Sequence, residues 1–344
     1  MITRSDVEAA ARRVAGHVRR TPVAEIGDVS FKLEFLQHGG SFKARGAFNR
    51  VLSGEVPAAG VLAASGGNHG LAVAHAAASL GIPAEVYVPE NAPAVKVAAL
   101  HALGAKVVHH GSEYAEAYAQ ALTRAATSGA LFCHAYDQPE VAAGQGTLGL
   151  ELLEQAGGVD TIVLAVGGGG LLAGVAAAVE GRARVVGVEP ASIPTLHTAL
   201  AAGGPVDVPA SGVAADSLGA RRLGAIAYEV ATRTGARSVL VSDEDIVAAR
   251  RWVWEQTRLV VEHAAAAAVA ALRTGASRGS GSRSSSAGRT RIPPISRDAD
   301  SRSTLRPRPL LPFWRWTVAR LSGTTSRTLR HYDAIGLLPP SHVG

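Results

Sequence analysis

One cysteine in 344 residues, Cys133, leaves no material for a disulfide framework or a thiolate zinc cluster. Aromatic residues are scarce at 5% and charged residues modest at 18%, while 47% of the chain is hydrophobic, which excludes a disordered polyelectrolyte and fits a globular protein. Apolar runs are short: Ala264–Leu272 is about half the roughly 20 residues a membrane-spanning helix needs. The opening Met1-Ile2-Thr3-Arg4-Ser5-Asp6 is not followed by the apolar core of a signal peptide. No membrane partner is expected, and the cytoplasm is the expected compartment. Lysine is rare too, with only Lys32, Lys43, Lys96 and Lys106, so any chemistry that needs an amine has four candidates.

The net charge of +6 is unevenly spread. Residues 273–344 hold 13 Arg, no Lys and 3 Asp, whereas residues 1–272 hold 21 basic and 25 acidic residues. The basic balance therefore describes a tail, and the body carries no nucleic-acid signal.

Short β-type runs alternate with Ala-rich stretches through the first 272 residues. Strands are expected at Gly60–Ala64, Ala84–Pro89, Lys106–His109, Thr161–Val166, Arg184–Glu189 and Ser238–Ser242, and helices at Gly70–Leu80 and Ala92–Leu103. Such alternation predicts an α/β fold with parallel sheets covered on both faces, and ligands bound at the carboxyl ends of the strands.

Three segments in those places carry chemistry. Lys43 sits in Gly39–Ala47, GGSFKARGA, just ahead of a helix. Ser65–Gly70, SGGNHG, turns from a strand into a helix, where free backbone N–H groups favour an anion. Gly167–Gly170, GGGG, does the same after Thr161–Val166 and forms a cradle for a phosphate. It is neither a GxGxxG dinucleotide fingerprint nor a Walker loop.

Together, in this order and spacing, these segments resemble the pyridoxal-phosphate enzymes of the tryptophan-synthase β-like group, fold type II, and within it the threonine/serine dehydratases. Arg20-Thr21-Pro22, Lys32–Leu36 (KLEFL), Gly144–Leu148 (GQGTL) and Gly187–Pro190 (GVEP) extend the resemblance over residues 1 to about 272. It implies two parallel-sheet three-layer domains, with residues of about 48–140 forming a smaller domain inserted in the larger one. It implies pyridoxal 5'-phosphate as cofactor, held by Lys43 as a Schiff base, with Lys43 also the base for the α-proton. Asn68 would hydrogen-bond the ring hydroxyl oxygen, Phe42 would lie beside the ring, and Gly167, Gly168, Gly169 and Gly170 would bind the phosphate. Ser65, Gly66, Asn68 and His69 would hold the substrate. The implied reaction is dehydration and deamination of L-threonine or L-serine to a 2-oxo acid and ammonia. Serine-racemase members carry a second serine where this chain has Gly66, which disfavours racemisation. Racemase or threonine-synthase-like chemistry on the same fold stays as the alternative. No metal is expected; Asp216 in Gly212–Asp216 (GVAAD) is the one acidic residue in a segment where some relatives bind a cation. A homo-oligomer is the family expectation.

The pattern breaks after about Thr274. The group has a late strand ending in a Ser/Cys-Gly-Ala/Gly-Asn turn that faces the pyridine nitrogen, and here Ser282–Ile295 reads SRSSSAGRTRIPPI instead. With permissible GC-rich codons, the same bases read from the third position of the Ser282 codon give Ala-Val-Val-Leu-Cys-Gly-Ala-Asn-Thr-Asp-Pro-Ala-Asp-Leu. We read residues 273–316 as a frameshifted, disordered linker. Thr317–Pro340, TVARLSGTTSRTLRHYDAIGLLPP, resembles the opening helix-turn-helix of MerR-type regulators, truncated, with Arg327, Arg330 and Tyr332 in the places that meet DNA backbone. A segment of about 28 residues is short for an independent fold. The expectation is a spurious tail without a nucleic-acid partner, and a DNA-binding chimeric regulator is the alternative from another class.

Overall fold

The computed structural model describes residues 2–27 and 29–276. The expected frameshifted linker from residue 277 onward, and the MerR-like segment 317–344, lie outside the described residues.

The chain opens with α1 (Arg4–Val14), started by a capping box in which Thr3 and Asp6 satisfy each other's backbone N–H groups. A hairpin follows, β1 (Val23–Ile26) and β2 (Val29–Lys32), then α2 (Lys43–Leu52). Next come β3 (Val61–Ala64), α3 (Asn68–Ser79), β4 (Ala84–Val88), α4 (Ala94–Ala102), β5 (Lys106–His109), α5 (Tyr114–Ser128) and β6 (Leu131–Phe132). The second half holds α6 (Pro139–Gln155), β7 (Thr161–Ala165), α7 (Gly170–Val179), β8 (Arg184–Pro190), α8 (Thr195–Ala202) and α9 (Ala215–Leu218). It continues with α10 (Ala225–Thr234), β9 (Arg237–Val241), α11 (Asp243–Thr257) and α12 (His263–Thr274). Ser242 caps α11 through the Asp245 N–H, and Gly275 ends α12 in the left-handed conformation.

Two parallel sheets result, as the alternation predicted. One runs β5-β4-β3-β6 and the other β7-β8-β9, while β1 and β2 pair only with each other, antiparallel, among the described residues. All four strands of the first sheet fall between residues 61 and 132. The strands expected from the sequence agree with the observed ones to within about a residue at each end. The hairpin and two-residue β6 were not expected.

Helices cover both faces of the second sheet. Ile162 and Leu164 of β7 join a core with α1, α6, α7 and α10, while Val163 and Ala165 face a second core built on α11 and α12. A strand whose successive side chains serve opposite cores is the middle layer of a sandwich of helices. Gly146 of α6 and Gly174 of α7 let these helices touch backbone to backbone, since a Cβ on either would run into the other's main chain. The GQGTL motif is thus a helix-packing device.

Candidate active site

Lys43, the SGGNHG turn and the tetraglycine turn line one continuous cavity of about 2450 Å³. Lys43 is the first residue of α2, and its Nζ donates a hydrogen bond to the Ala135 carbonyl at 2.7 Å and lies 5.3 Å from the centre of the Phe42 ring. Burial pushes its ammonium down from 10.5 to about 8, because a charge taken out of water loses its hydration. Close to it in sequence, the buried Ser41 Oγ has no hydrogen-bond partner among the described residues.

The SGGNHG turn begins α3. Gly67 is its N-cap and offers no side-chain cap, so the first N–H groups of the helix are free for an anion. Ser65 Oγ accepts from the Gly67 N–H at 3.2 Å, which fixes the turn. Gly66 has only Val88 near, 3.5 Å from where a Cβ would stand. Asn68 points its amide at Glu262, with Nδ2 at 3.0 Å from both carboxylate oxygens, a partner that sequence reading missed. His69 is buried, and its Nε2 lies 2.8 Å from the Cys133 carbonyl. A carbonyl only accepts, so Nε2 carries the hydrogen. Burial first, and the Lys43 charge second, push the imidazole down to about 3 and keep it neutral. Its Nδ1 is then an acceptor, and the ring has no second N–H to give a substrate carboxylate. The group that His69 has left to offer an anion is its main-chain N–H, in the first turn of α3.

The tetraglycine turn is tied down from behind. The Gly167 carbonyl accepts from Thr195 Oγ1 at 2.6 Å and the Gly168 carbonyl from the Gly224 N–H at 3.0 Å. Gly169 adopts φ +87°, a left-handed backbone, and α7 starts at Gly170. A Cβ on Gly168 would strike the Tyr136 ring. Carbonyls held at the back and a helix N-terminus in front make a fitted cradle for a phosphate.

No motif announced the aromatic group that packs against this turn. Tyr118 and His134 have ring centres 5.7 Å apart, and His134 and Tyr136 4.6 Å. His134 Nδ1 accepts from the N–H groups of Tyr136 (3.1 Å) and Asp137 (2.8 Å), which orients the ring. The remaining motif residues brace the site from below. Arg45, fully buried two residues after Lys43, pairs with Glu34 at 2.8 Å and Glu151 at 2.7 Å. Lys32 completes the group on Glu151 at 2.6 Å, the Thr21 carbonyl and Gln155. This network ties β2, α2 and α6 together. Among the described residues no group of three or more His, Cys, Asp or Glu is placed to hold a metal ion, and no helix is long and apolar enough to cross a membrane. Asp216 sits in the first turn of α9, inside the cap and not on it.

The architecture and site define a class: parallel α/β enzymes with a buried amine between two glycine-fronted helix ends. Comparison with known proteins makes that class specific. The family model for pyridoxal-phosphate dependent enzymes matches residues 14–285, and the chain belongs to that family. Its cofactor is pyridoxal 5'-phosphate, and the buried lysine, the orphaned Ser41 hydroxyl and the glycine cradle fit that group. An L-threonine ammonia-lyase of Thermotoga maritima is 38% identical over 285 residues, covering 79% of this chain and 71% of that protein. The crystal structure of a T.th. threonine deaminase superposes with a TM-score of 0.75 at 37% identity, covering 80% of this chain and 94% of the other. Maize serine racemase superposes with a TM-score of 0.77 at 32% identity, covering 81% and 88%. The model for the MerR family of regulatory proteins matches residues 317–343, outside the described residues.

Proposed function

We propose that the protein is a pyridoxal-phosphate dependent ammonia-lyase that converts L-threonine or L-serine to a 2-oxo acid and ammonia. The observation that carries this reading is Lys43, a buried amine whose proton affinity is lowered to about 8, facing a phosphate cradle across one cavity. The cofactor, when bound, supplies an electron sink for the charge that develops at the substrate α-carbon. Lys43 holds the cofactor, and the N–H groups of Gly167, Gly168, Gly169 and Gly170 take its phosphate. Phe42 lies beside the ring, and Asn68 turns from Glu262 to the ring hydroxyl. Ser65, Gly66, Asn68 and the main chain of His69 take the substrate carboxylate on the positive end of α3. Lys43 Nζ, neutral above pH about 8, is available to accept the α-proton while the Ala135 carbonyl holds one of its hydrogens. The β-carbon–oxygen bond then breaks, one water leaves and one is taken up, and the amino nitrogen departs as ammonia.

Racemisation would require a second base on the opposite face, and Gly66 has no side chain to provide one. We further read residues 48–140 as a smaller domain, the assembly as a homo-oligomer, the compartment as the cytoplasm, and the enzyme as acting without nucleic acid. The test is an assay of the full chain with pyridoxal phosphate and L-threonine or L-serine, following ammonia, 2-oxo acid and the D-amino acid. Ammonia and 2-oxo acid in equal amounts, lowered about a thousandfold or more in Lys43→Ala, support the lyase. D-serine without ammonia would replace it with the racemase.

A further inference from the structure

A β-hydroxy amino acid brings an amine, an α-hydrogen, a carboxylate and a β-hydroxyl to the site. Lys43 serves the first two and the start of α3 the carboxylate, which leaves the β-hydroxyl without a partner. The loop leaving the carboxyl end of β6 supplies a candidate. Its main chain already holds two site groups: the Cys133 carbonyl takes the His69 Nε2–H at 2.8 Å, and the Ala135 carbonyl takes Lys43 Nζ at 2.7 Å. His134 stands between them in the chain and lines the same cavity.

The His134 ring is fixed in orientation and in tautomer. Its Nδ1 accepts from the Tyr136 N–H at 3.1 Å and the Asp137 N–H at 2.8 Å, so the ring hydrogen sits on Nε2. The Tyr118 and Tyr136 rings stand edge-on to it at 89° and 80°, and its main-chain N–H is held by the Gln138 side chain at 2.8 Å. Burial lowers the proton affinity of the imidazole, against the pull of the Asp137 carboxylate, and a proton on Nδ1 would displace both N–H groups, so the ring stays neutral. The two nitrogens of an imidazole point apart, so Nε2–H looks away from the main chain that Nδ1 holds. It meets no acceptor among the described residues. The polar groups beside it are engaged elsewhere: the Asp137 carboxylate takes the Ala225 and Ile226 N–H groups at 3.1 and 3.0 Å, and the Tyr136 hydroxyl donates to the Arg222 carbonyl at 3.3 Å.

We propose that His134, through Nε2–H, recognises the substrate β-hydroxyl, donating a hydrogen bond to its oxygen and setting the preference of the site for β-hydroxy amino acids. His134 keeps its hydrogen throughout and orients the carbon–oxygen bond that breaks. The proposal rests on the ammonia-lyase reading above. The test uses the full chain with pyridoxal phosphate and two amino acids without an α-hydrogen, α-methyl-L-serine and its analogue lacking the hydroxyl, 2-aminoisobutyrate. Neither offers a proton to Lys43, so each is read as a binding constant by titration calorimetry. The native protein is expected to bind the hydroxylated one at least about fivefold more tightly, the scale of one hydrogen bond. His134→Phe, which keeps a flat ring beside the tyrosines, is expected to bind the two alike. His134→Gln, whose amide donates from a similar distance, is expected to keep part of the preference. In turnover, His134→Phe should lose at least about fivefold in kcat/KM on L-serine relative to β-chloro-L-alanine, whose chloride leaves without a strong hydrogen-bond donor. No preference in the native protein, a preference unchanged in His134→Phe, or one lost instead in Tyr118→Phe would overturn the proposal. So would equal losses on both substrates, the mark of a purely structural ring. The expected binding pattern without ammonia from L-serine or L-threonine would overturn the lyase reading and leave the hydroxyl recognition standing.

Discussion

The two parallel sheets treat their edges differently. In the four-stranded sheet, β5 ends the sheet with Lys106 and His109 exposed at its two ends, and Lys106 pairs with Glu85 on the surface. The other edge, β6, is only two residues long. Short and charged edges are how soluble proteins discourage further pairing. In the three-stranded sheet, β9 opens with an exposed arginine, Arg237. β7, in contrast, reads Thr-Ile-Val-Leu-Ala, with no charge, no proline and apolar side chains towards both cores. Its sequence is that of a central strand, and among the described residues it stands at an edge. Apolar side chains on both faces are what a strand covered by helices on both sides requires, whatever its place in the sheet.

Substitutions can break this comparison. Val86 of β4 is fully buried between paired strands, and Val86→Lys is expected to cost more than about 4 kcal/mol in urea unfolding, as an unpaired buried charge does. Val163→Lys should cost less, about 2 kcal/mol, because Val163 is only partly buried where it packs against the α11 and α12 core and also lines the cavity. Equal costs would mean that the β7 edge is covered.

Next in size is the network that ties β2, α2 and α6 together. Glu151→Gln leaves the fully buried Arg45 with one carboxylate and Lys32 with none, and is expected to cost about 3 kcal/mol. Faster hydrogen exchange in β2 should accompany it.

Lys43 gives a comparable effect that depends on pH. Its folded-state value of about 8 lies below the ordinary 10.5. Below pH 8 both states carry the proton and the folded state bears the full burial cost, about 3 kcal/mol at about 1.4 kcal/mol per unit. Between 8 and 10.5 the unfolded chain holds more protons, so stability rises with pH, and above 10.5 the cost is gone. Lys43→Met without cofactor should therefore be the more stable protein at pH 7, with the gain fading by about pH 10.5 in paired denaturation curves. A gain independent of pH would contradict this. The smallest effect belongs to the exposed edge: Lys106→Ala should lower stability by less than about 1 kcal/mol, since its pair with Glu85 is solvated.

What was legible in the sequence follows the same physics. Parallel strands such as the fully buried Val61–Ala64 and the half-buried Thr161–Ala165 are runs without a charged residue and announce themselves. The hairpin Val23–Lys32 mixes an exposed glutamate with a serine and a lysine at partly buried positions and does not. Lys43 and the glycine turns were readable because their chemistry requires those residue types. The Ala135 carbonyl that holds Lys43 was not, since any residue supplies a carbonyl. Nor was Glu262 opposite Asn68, nor the group of Tyr118, His134 and Tyr136, which the fold assembles from positions without a shared motif. Thr21, Lys32, Glu34, Gly146 and Thr147 were noticed as motif residues, and only the structure distinguishes their bracing and packing from catalysis.

The central claim is that Lys43 and the glycine cradle form one working cofactor site within residues 2–276. Its most direct test is the visible absorbance spectrum of the purified full chain with pyridoxal phosphate, beside that of Lys43→Ala. The native protein is expected to show a band that survives desalting and is lost in the variant. A folded native protein without that band, or a variant that keeps it, would contradict the account.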